Sequence, residues 1–337
     1  MQNHTRKLFN AYLAKQAELN GVESAAHQFA ITPTVQQKLE SRIQESSEFL
    51  GRINVWPVEQ LAGEKIGLGT DGPIASRTDT DQAPRTTRDA ASLQGRGYLA
   101  VQTNYDTHIK YATLDAWAKF PDFQLRYSRA VQRQCALDRI MIGFNGTSAA
   151  DTTNRAANPL LQDVNKGWLQ YLRDNADERI MDGGKTAGKV VIGSGAGHDY
   201  KSLDGLVMDA AHSLLDPWHR NATDLVAIVA SDLLHDKLFP LVDGQSAPTE
   251  KLAADIVVSQ ARLGGRQAAA VPYMLSGAVL ITSLDNLSLY YQAGARRRHI
   301  KEAPERNRVE TYESSNDAFV IEDLGKCALV ENIEFAQ

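Results

Sequence analysis

Gly67-Leu68-Gly69-Thr70-Asp71-Gly72 has the spacing of a dinucleotide-binding turn, with Asp89 where an acid would meet a ribose. That chemistry needs a helix to begin at the glycines, so that unpaired backbone N–H groups face the pyrophosphate. Here Pro73 follows at once, and Ile74, Ser76 and Thr78 alternate like a strand. A glycine-rich loop is the better reading; a cytoplasmic nucleotide-binding α/β enzyme is the alternative that tight NAD or ATP binding would expose. Gly184-Lys185-Thr186 looks like the end of a phosphate loop, yet Arg179 stands where that pattern needs glycine. Gly193-Ser194-Gly195-Ala196-Gly197-His198 lacks its last glycine, and both segments read as turns. The eight histidines form no HExxH pair, and Pro217 separates His212 from His219, so no zinc site is expected. Thr78-Asp79-Thr80-Asp81 lacks the glycine and distal glutamate of a calcium loop and reads as a solvated turn. No GxSxG elbow occurs, and Cys135 lies within an expected helix with no base nearby. No catalytic, cofactor-binding or metal-binding residue is therefore expected. The one basic cluster is Arg296, Arg297 and Arg298, followed by His299, Lys301, Arg306 and Arg308. With Glu302 and Glu305 interleaved, it reads as an intersubunit or DNA-facing cluster, or as a solvated face.

The elements that would have to position such groups have an unusual order. At 337 residues and 43% apolar, the chain is long enough for two domains with a sizeable core. Its net charge of -5 argues against a dedicated nucleic-acid binder. Cys135 and Cys327 are too few for a disulfide framework and read as buried, reduced thiols. The opening MQNHTRKLFNAYLAK has no apolar signal core, and no run reaches membrane-spanning length, so a cytoplasmic setting without a membrane partner is expected.

The first third holds little core. Thr5 to Leu19 reads as an amphipathic helix with Leu8, Phe9, Tyr12 and Leu13 on its apolar face. A weakly patterned joint runs from Gly21 to Pro33; Val35, Leu39, Ile43 and Leu50 then mark a second amphipathic stretch to Gly51. Such helices must dock elsewhere, and the first suits a scaffold or inner-wall contact. From Leu99 to Tyr111 every second residue is Leu, Val, Thr, Tyr or Ile, which predicts one strand of about 43 Å. Its partner is expected within 53–69 and 74–80, giving a long hairpin with a polar tip. Such a hairpin is marginal alone and is expected to rest on neighbouring subunits.

Beyond Thr113 the period changes to that of a helix. TLDAWAKF is a short helix stopped by Pro121, and Asp122 is placed to cap the next. That helix runs from Phe123 to Phe144 with a stripe of Tyr127, Ala130, Val131, Leu137, Ile140 and Met141; Gly143 or Gly146 is available for a left-handed end. Residues 151–290 read as a separate α/β unit. NPLLQDVNKGWLQYLRDNA, SLDGLVMDAAHSLLD and DLLHDKLFP are its helices; RIM and KVVI form a hairpin, and LVAIVAS, DIVVS, AVLITSL and NLSLYYQ are strands. RVETYES, DAFVIED and KCALVENI return to strand character between Arg308 and Ile333.

FNAYLAKQAELNG from Phe9, QESSEFLGRINVWPV from Gln44, GEKIGLG from Gly63, IKYATLDAWAKFPDFQLR from Ile109 and MIGFNG from Met141 span the chain in order. NPLLQDVNKGWLQ from Asn158, LDGLVMDA from Leu203, NLSLYYQ from Asn286 and RVETYES from Arg308 continue the series. In these segments the chain resembles the major capsid proteins of P2-type (peduovirus-type) temperate tailed phages. The resemblance implies an α+β, Hong Kong-type tailed-phage capsid fold. It assigns 1–50 to an N-terminal arm and 51–112 to an extended loop. A peripheral domain with the long spine helix would be 113–150 and 291–337, and an axial domain 151–290. It implies a structural, non-enzymatic subunit, assembling in the bacterial cytoplasm into hexamers and pentamers of a virion capsid. The implied partners are further copies of the chain, an internal scaffolding protein that is also a protease, a portal protein and packaged double-stranded DNA. Phe29-Ala30, in the weak joint, is the candidate processing site. An encapsulin-like shell protein is the alternative that shares the fold.

Overall fold

Arg308–Ile321 is a strand of 14 residues on which most of one sheet is organised. The structure is a computed structural model describing residues 1–70, 75–82, 84–87, 91–120, 122–195, 197–235, 237 and 262–336. The long strand pairs antiparallel with Arg297–Ala303, Leu287–Gln292, Val101–Asn104 and Thr107–Lys110. Asn54–Val58 adds in parallel beside Leu287–Gln292, and Phe29–Ala30 pairs with Arg297–Arg298. A second sheet has the order Arg262–Leu263, Arg266–Ala270, Val226–Val229, Val279–Thr282, Ala328–Val330, Ile180–Met181. Val226–Val229 and Val279–Thr282 are buried throughout, which is why they read as unbroken apolar runs rather than alternating ones. Leu203–Leu214 covers this sheet with Leu206, Val207, Ala210 and Ala211, and Ser202 caps it by accepting from the Gly205 N–H at 3.2 Å.

Helices and strands are segregated as an α+β architecture requires. Leu287–Gln292 lies whole in the first sheet, while Ala328–Val330 returns to the second and Ile333–Phe335 pairs with Val190–Ile192. Among the described residues, no helix is long and apolar enough to cross a membrane.

Several local expectations are corrected. The single strand ending at Tyr111 is three, and Tyr111 itself begins the helix Tyr111–Trp117. The alternation holds from Val101 onward, since Val101, Thr103, Tyr105, Thr107, Ile109 and Tyr111 are covered and the residues between them exposed, while Leu99, expected on the same face, is 59% exposed. Continuity fails because Ala91–Leu99 pairs with Ala62–Thr70, whereas 101–110 pairs with Arg308–Ile321. The chain changes sheets at Ala100.

The spine helix is Phe123–Asn145, but Asp122 makes no backbone cap; its carboxylate accepts from Arg126 Nε at 2.5 Å. Gly146, at φ -66°, is not left-handed. It and Gly143 are required by close approach, since a Cβ would lie 2.2 Å from the Trp168 ring at Gly143 and 2.1 Å from the Asn165 carbonyl at Gly146.

Of the helix expected from Asn158 to Ala176, only Trp168–Asn175 forms. Upstream, Asn154 and Asp163 accept from backbone N–H groups at Ala156 and Asn154, a local bonding that competes with helix. Ile180–Met181 and Val190–Ile192 do not pair with each other; each is captured in parallel by a strand near the C-terminus. Residues 231–235 are helical, while the rest of DLLHDKLFP (apart from Lys237) and all of DIVVS lie outside the described residues.

Candidate functional site

The helix Pro33–Glu45 opens on a proline, whose fixed φ suits the first helical position, and turns Gln36, Glu40 and Ile43 inward. Glu40, 2% exposed, meets arginines from two distant elements. Arg139 of the spine helix donates to it at 2.5 and 3.3 Å, and Arg296 donates at 2.5 Å. Arg139 also donates to Asp317 at 3.1 and 3.2 Å, and that carboxylate accepts from Ser315 at 2.7 Å and Tyr105 at 3.2 Å. Arg296 and Arg298 share Glu313 at 2.7 and 2.6 Å. Three carboxylates face three guanidiniums in a nearly dry site.

Burial by itself would raise the pKa of Glu40 and of Glu313. The adjacent guanidiniums, Arg139 and Arg296 at Glu40 and Arg296 and Arg298 at Glu313, outweigh it and hold both below the ordinary carboxylate range. One helical turn before Arg139, burial pushes the Cys135 thiol up to about 12, and Cys327 likewise. Both stay protonated thiols, not the thiolates that nucleophilic chemistry needs.

The first helix, Asn3–Asn20, is seated on the same sheet. Phe9, Tyr12 and Leu13 are half-buried against Ala25, Phe29, Ile31, Ile300 and Val309, while Leu8 stays 39% exposed. Arg6 donates to Glu302 at 2.5 and 2.7 Å, and Tyr111 donates to the same carboxylate at 2.7 Å. The expected weak joint at Phe29-Ala30 is a paired strand with Phe29 7% exposed and Ala30 exposed. Of the basic cluster, Arg296 is buried and Arg298 half-buried, both satisfied within the subunit; Arg297 alone is exposed.

The network escaped sequence reading for a physical reason. Arg139 inside an apolar stripe and Glu40 between Leu39 and Ile43 do signal buried charges. Their partners lie 99 to 256 positions away, and no local pattern connects them.

The hairpin of Ala62–Thr70 and Ala91–Leu99 is held to the body at its base. Tyr98 stands edge-on to Tyr290 at 5.3 Å, and the Ala100 N–H donates to the Leu61 carbonyl at 2.8 Å. Beside them Trp56 is 54% exposed over an open cleft of about 560 Å³ lined also by Asn54, Tyr98 and Tyr290.

Gly67 to Thr70 lie within a hairpin strand, so no helix N-terminus begins there; Asp71 to Pro73 and Asp89 fall outside the described residues. The Gly184-Lys185 turn is packed against Asp199, whose Oδ1 accepts the Lys185 N–H at 2.6 Å. At the hairpin tip Asp79 accepts from the Asp81 N–H at 3.1 Å in an exposed turn. His219 faces Asp323 at 2.9 Å. Among the described residues, no group of three or more His, Cys, Asp or Glu is placed to hold a metal ion.

Residues 8–333 match the family described as phage major capsid protein, P2 family. The chain is 47% identical to the capsid proteins of Escherichia phage P2, over 99% of this chain and 96% of that protein. It is 45% identical to the major capsid protein of Serratia phage KSP20, over 100% and 99%. Among solved structures it superposes on a chain of a satellite phage P4 procapsid that includes the size determination (Sid) protein. The TM-score is 0.81 at 43% identity, covering 100% of this chain and 99% of that one. A capsid chain of an empty GTA particle, at TM-score 0.55 and 13% identity over 86% and 90%, shares the fold alone. The fold is thus the Hong Kong-type tailed-phage capsid fold, and the nucleotide-enzyme and encapsulin-like readings are not favoured. A shell subunit that assembles with copies of itself is what an arm, a hairpin and two sheets are suited to build: this chain belongs to the P2 family of phage major capsid proteins and is a structural subunit of an icosahedral virion capsid.

Proposed function

We propose that the subunit forms hexamers and pentamers by heterologous contacts and that the hairpin 62–99 lies on a neighbouring subunit. The unit built on the six-stranded sheet is the axial domain, converging at ring centres, and the sheet on Arg308–Ile321 with the spine helix is the peripheral domain. The observation that carries this reading is the hairpin itself. Its strands pair over nine positions from Ala62↔Leu99 to Thr70↔Ala91, while its ties to the body sit at the base. A two-stranded ribbon of that kind gains stability only by resting on another surface.

The shell encloses double-stranded DNA and forms in the bacterial cytoplasm on an internal scaffolding protein that is also a protease, around a portal protein. Leu8, on the outward side of the first helix, is available to the scaffold, and Arg297 to DNA or a neighbour. Processing at Phe29-Ala30 requires the pairing with Arg297–Arg298 to open first. The subunit is non-enzymatic.

Deletion of residues 70–95 tests the reading. Folded subunits that no longer form particles by electron microscopy are expected, and particles of unchanged yield would refute it.

A further inference from the structure

Among the described residues, the six-stranded sheet ends on Arg262–Leu263 and on Ile180–Met181, and the residues around the two ends carry opposite charge. At one end, Arg262–Leu263 and Arg266–Ala270 form a hairpin whose turn residues, Gly264 and Gly265, both have positive φ, the conformation of a tight two-residue turn. This turn borders an open groove of about 940 Å³ that Arg52 also lines. Arg52 and Arg262 are exposed and meet no carboxylate among the described residues. Half-buried Arg266 donates to the carbonyls of Gly264 and Arg220 at 3.0 Å and leaves Nε without an acceptor. On the groove wall Ser283, 1% exposed, leaves its Oγ unpaired as well. Of the acids that also line the groove, Asp224 accepts from Lys326 at 2.5 Å, and Asp285 lies exposed 4.0 Å from the same ammonium, so the arginines outnumber the acids.

At the other end, Ile180–Met181 is flanked by Asp177, Glu178 and Asp182, all exposed. Among the described residues, Glu178 alone of these has a cation near, Arg179 at 3.7 Å.

A basic rim and an acidic rim on opposite ends of one sheet suit a head-to-tail contact, in which each copy offers one end to the next and the rotation closes a ring. We propose that the groove at Arg52, Arg262 and Arg266 receives the Asp177–Asp182 edge of a second copy. This rests on the ring-forming reading above and names the surfaces that carry it. Guanidinium forks match carboxylates in pairs. A two-fold contact through either end would set like charges together. A nucleic-acid occupant would leave the acidic end unmatched on every copy.

The full chain is assembled in bacterial cells together with the scaffolding protein, and the particles are purified and counted by electron microscopy and sedimentation. Arg52→Glu with Arg262→Glu, and separately Asp177→Lys with Asp182→Lys, are each expected to lower particle yield about tenfold. All four changes together are expected to restore it to within about threefold of the unaltered chain. Circular dichroism identifies a variant that has unfolded; Arg52→Gln with Arg262→Gln, which only removes charge, then repeats the test with a smaller loss. A one-sided reversal that assembles normally, or a fourfold variant no better than the one-sided ones, overturns the pairing alone. So does a variant with normal yield whose shells retain less DNA, which would assign the groove to nucleic acid. An unaltered chain that forms no rings or shells overturns the ring reading and the pairing with it.

Discussion

The N-terminal helices and the hairpin 62–99 both lie within the first hundred residues, yet among the described residues the helices are seated on their own subunit and the hairpin is tied to it at its base. The difference is in apolar contact, since Ile43, Phe49 and Leu50 are buried and Phe9, Tyr12 and Leu13 are packed, and also in charge. Each helix brings a residue that completes an ion pair on the sheet, Arg6 to Glu302 and Glu40 to Arg139 and Arg296. The hairpin meets the body through one aromatic edge and its backbone at the base. A segment that packs apolar side chains and buries charges on its own subunit is held in place, and one tied only at its base remains available to a neighbour.

The largest effect is expected from breaking the charge site. Glu40→Ala leaves Arg139 and Arg296 buried without their shared carboxylate, which costs about 3–5 kcal/mol. Denaturant unfolding of unassembled subunits measures it, and a loss below about 1 kcal/mol would break the contrast drawn here.

Acid acts in the same direction. Glu40 and Glu313 have pKa values depressed below their ordinary 4.5, so their contribution is complete above that value. It is lost as pH falls through the lower, folded-state pKa values. Subunit stability is expected to decline on acidification below about pH 4.5, less steeply in a Glu40→Gln variant, and parallel curves would count against this assignment.

A smaller effect is expected where the arm meets the spine helix. Phe49 packs at 5.5 Å on Phe144 and 6.0 Å on Trp168. Gly143→Ala drives a methyl into the Trp168 ring, costing about 1–3 kcal/mol, and an undiminished unfolding midpoint would show that the ring can move aside. Phe9→Ser with Tyr12→Ser removes two half-buried contacts of the first helix, about 1–2 kcal/mol of local seating. Faster proteolysis within residues 22–32 is the expected readout, and an unchanged digestion pattern would mean that Arg6 alone holds the helix. Smallest of all on stability is removal of 70–95, expected to leave the isolated subunit within about 0.5 kcal/mol while abolishing assembly.

What could be read from the sequence was local. The alternation of 101–111, the apolar runs at 226–229 and 279–282 and the bounds of the spine helix each follow from a period within one window. Partners across the chain did not follow. Nothing around Ala100 marks a change of sheet, since the alternation passes through it unbroken. Nothing near Ile180 or Val190 tells that strands some 140 residues downstream will claim them. Gly143 and Gly146 advertised a helix end, and it took the position of Trp168 and Asn165 to reveal that they clear space. The Arg296–Arg298 cluster drew attention for its charge, and burial turned it from a surface cation patch into an internal counterweight for Glu40 and Glu313.

Every segment paired to Arg308–Ile321 precedes it in the chain, from Val101–Asn104 to Arg297–Ala303. On a ribosome adding about 5–20 residues per second, those segments emerge well before the strand that joins them. Until then the backbone edges that it will pair stay open. A product terminated before residue 308 therefore lacks the template of its own sheet and cannot pass as a finished brick.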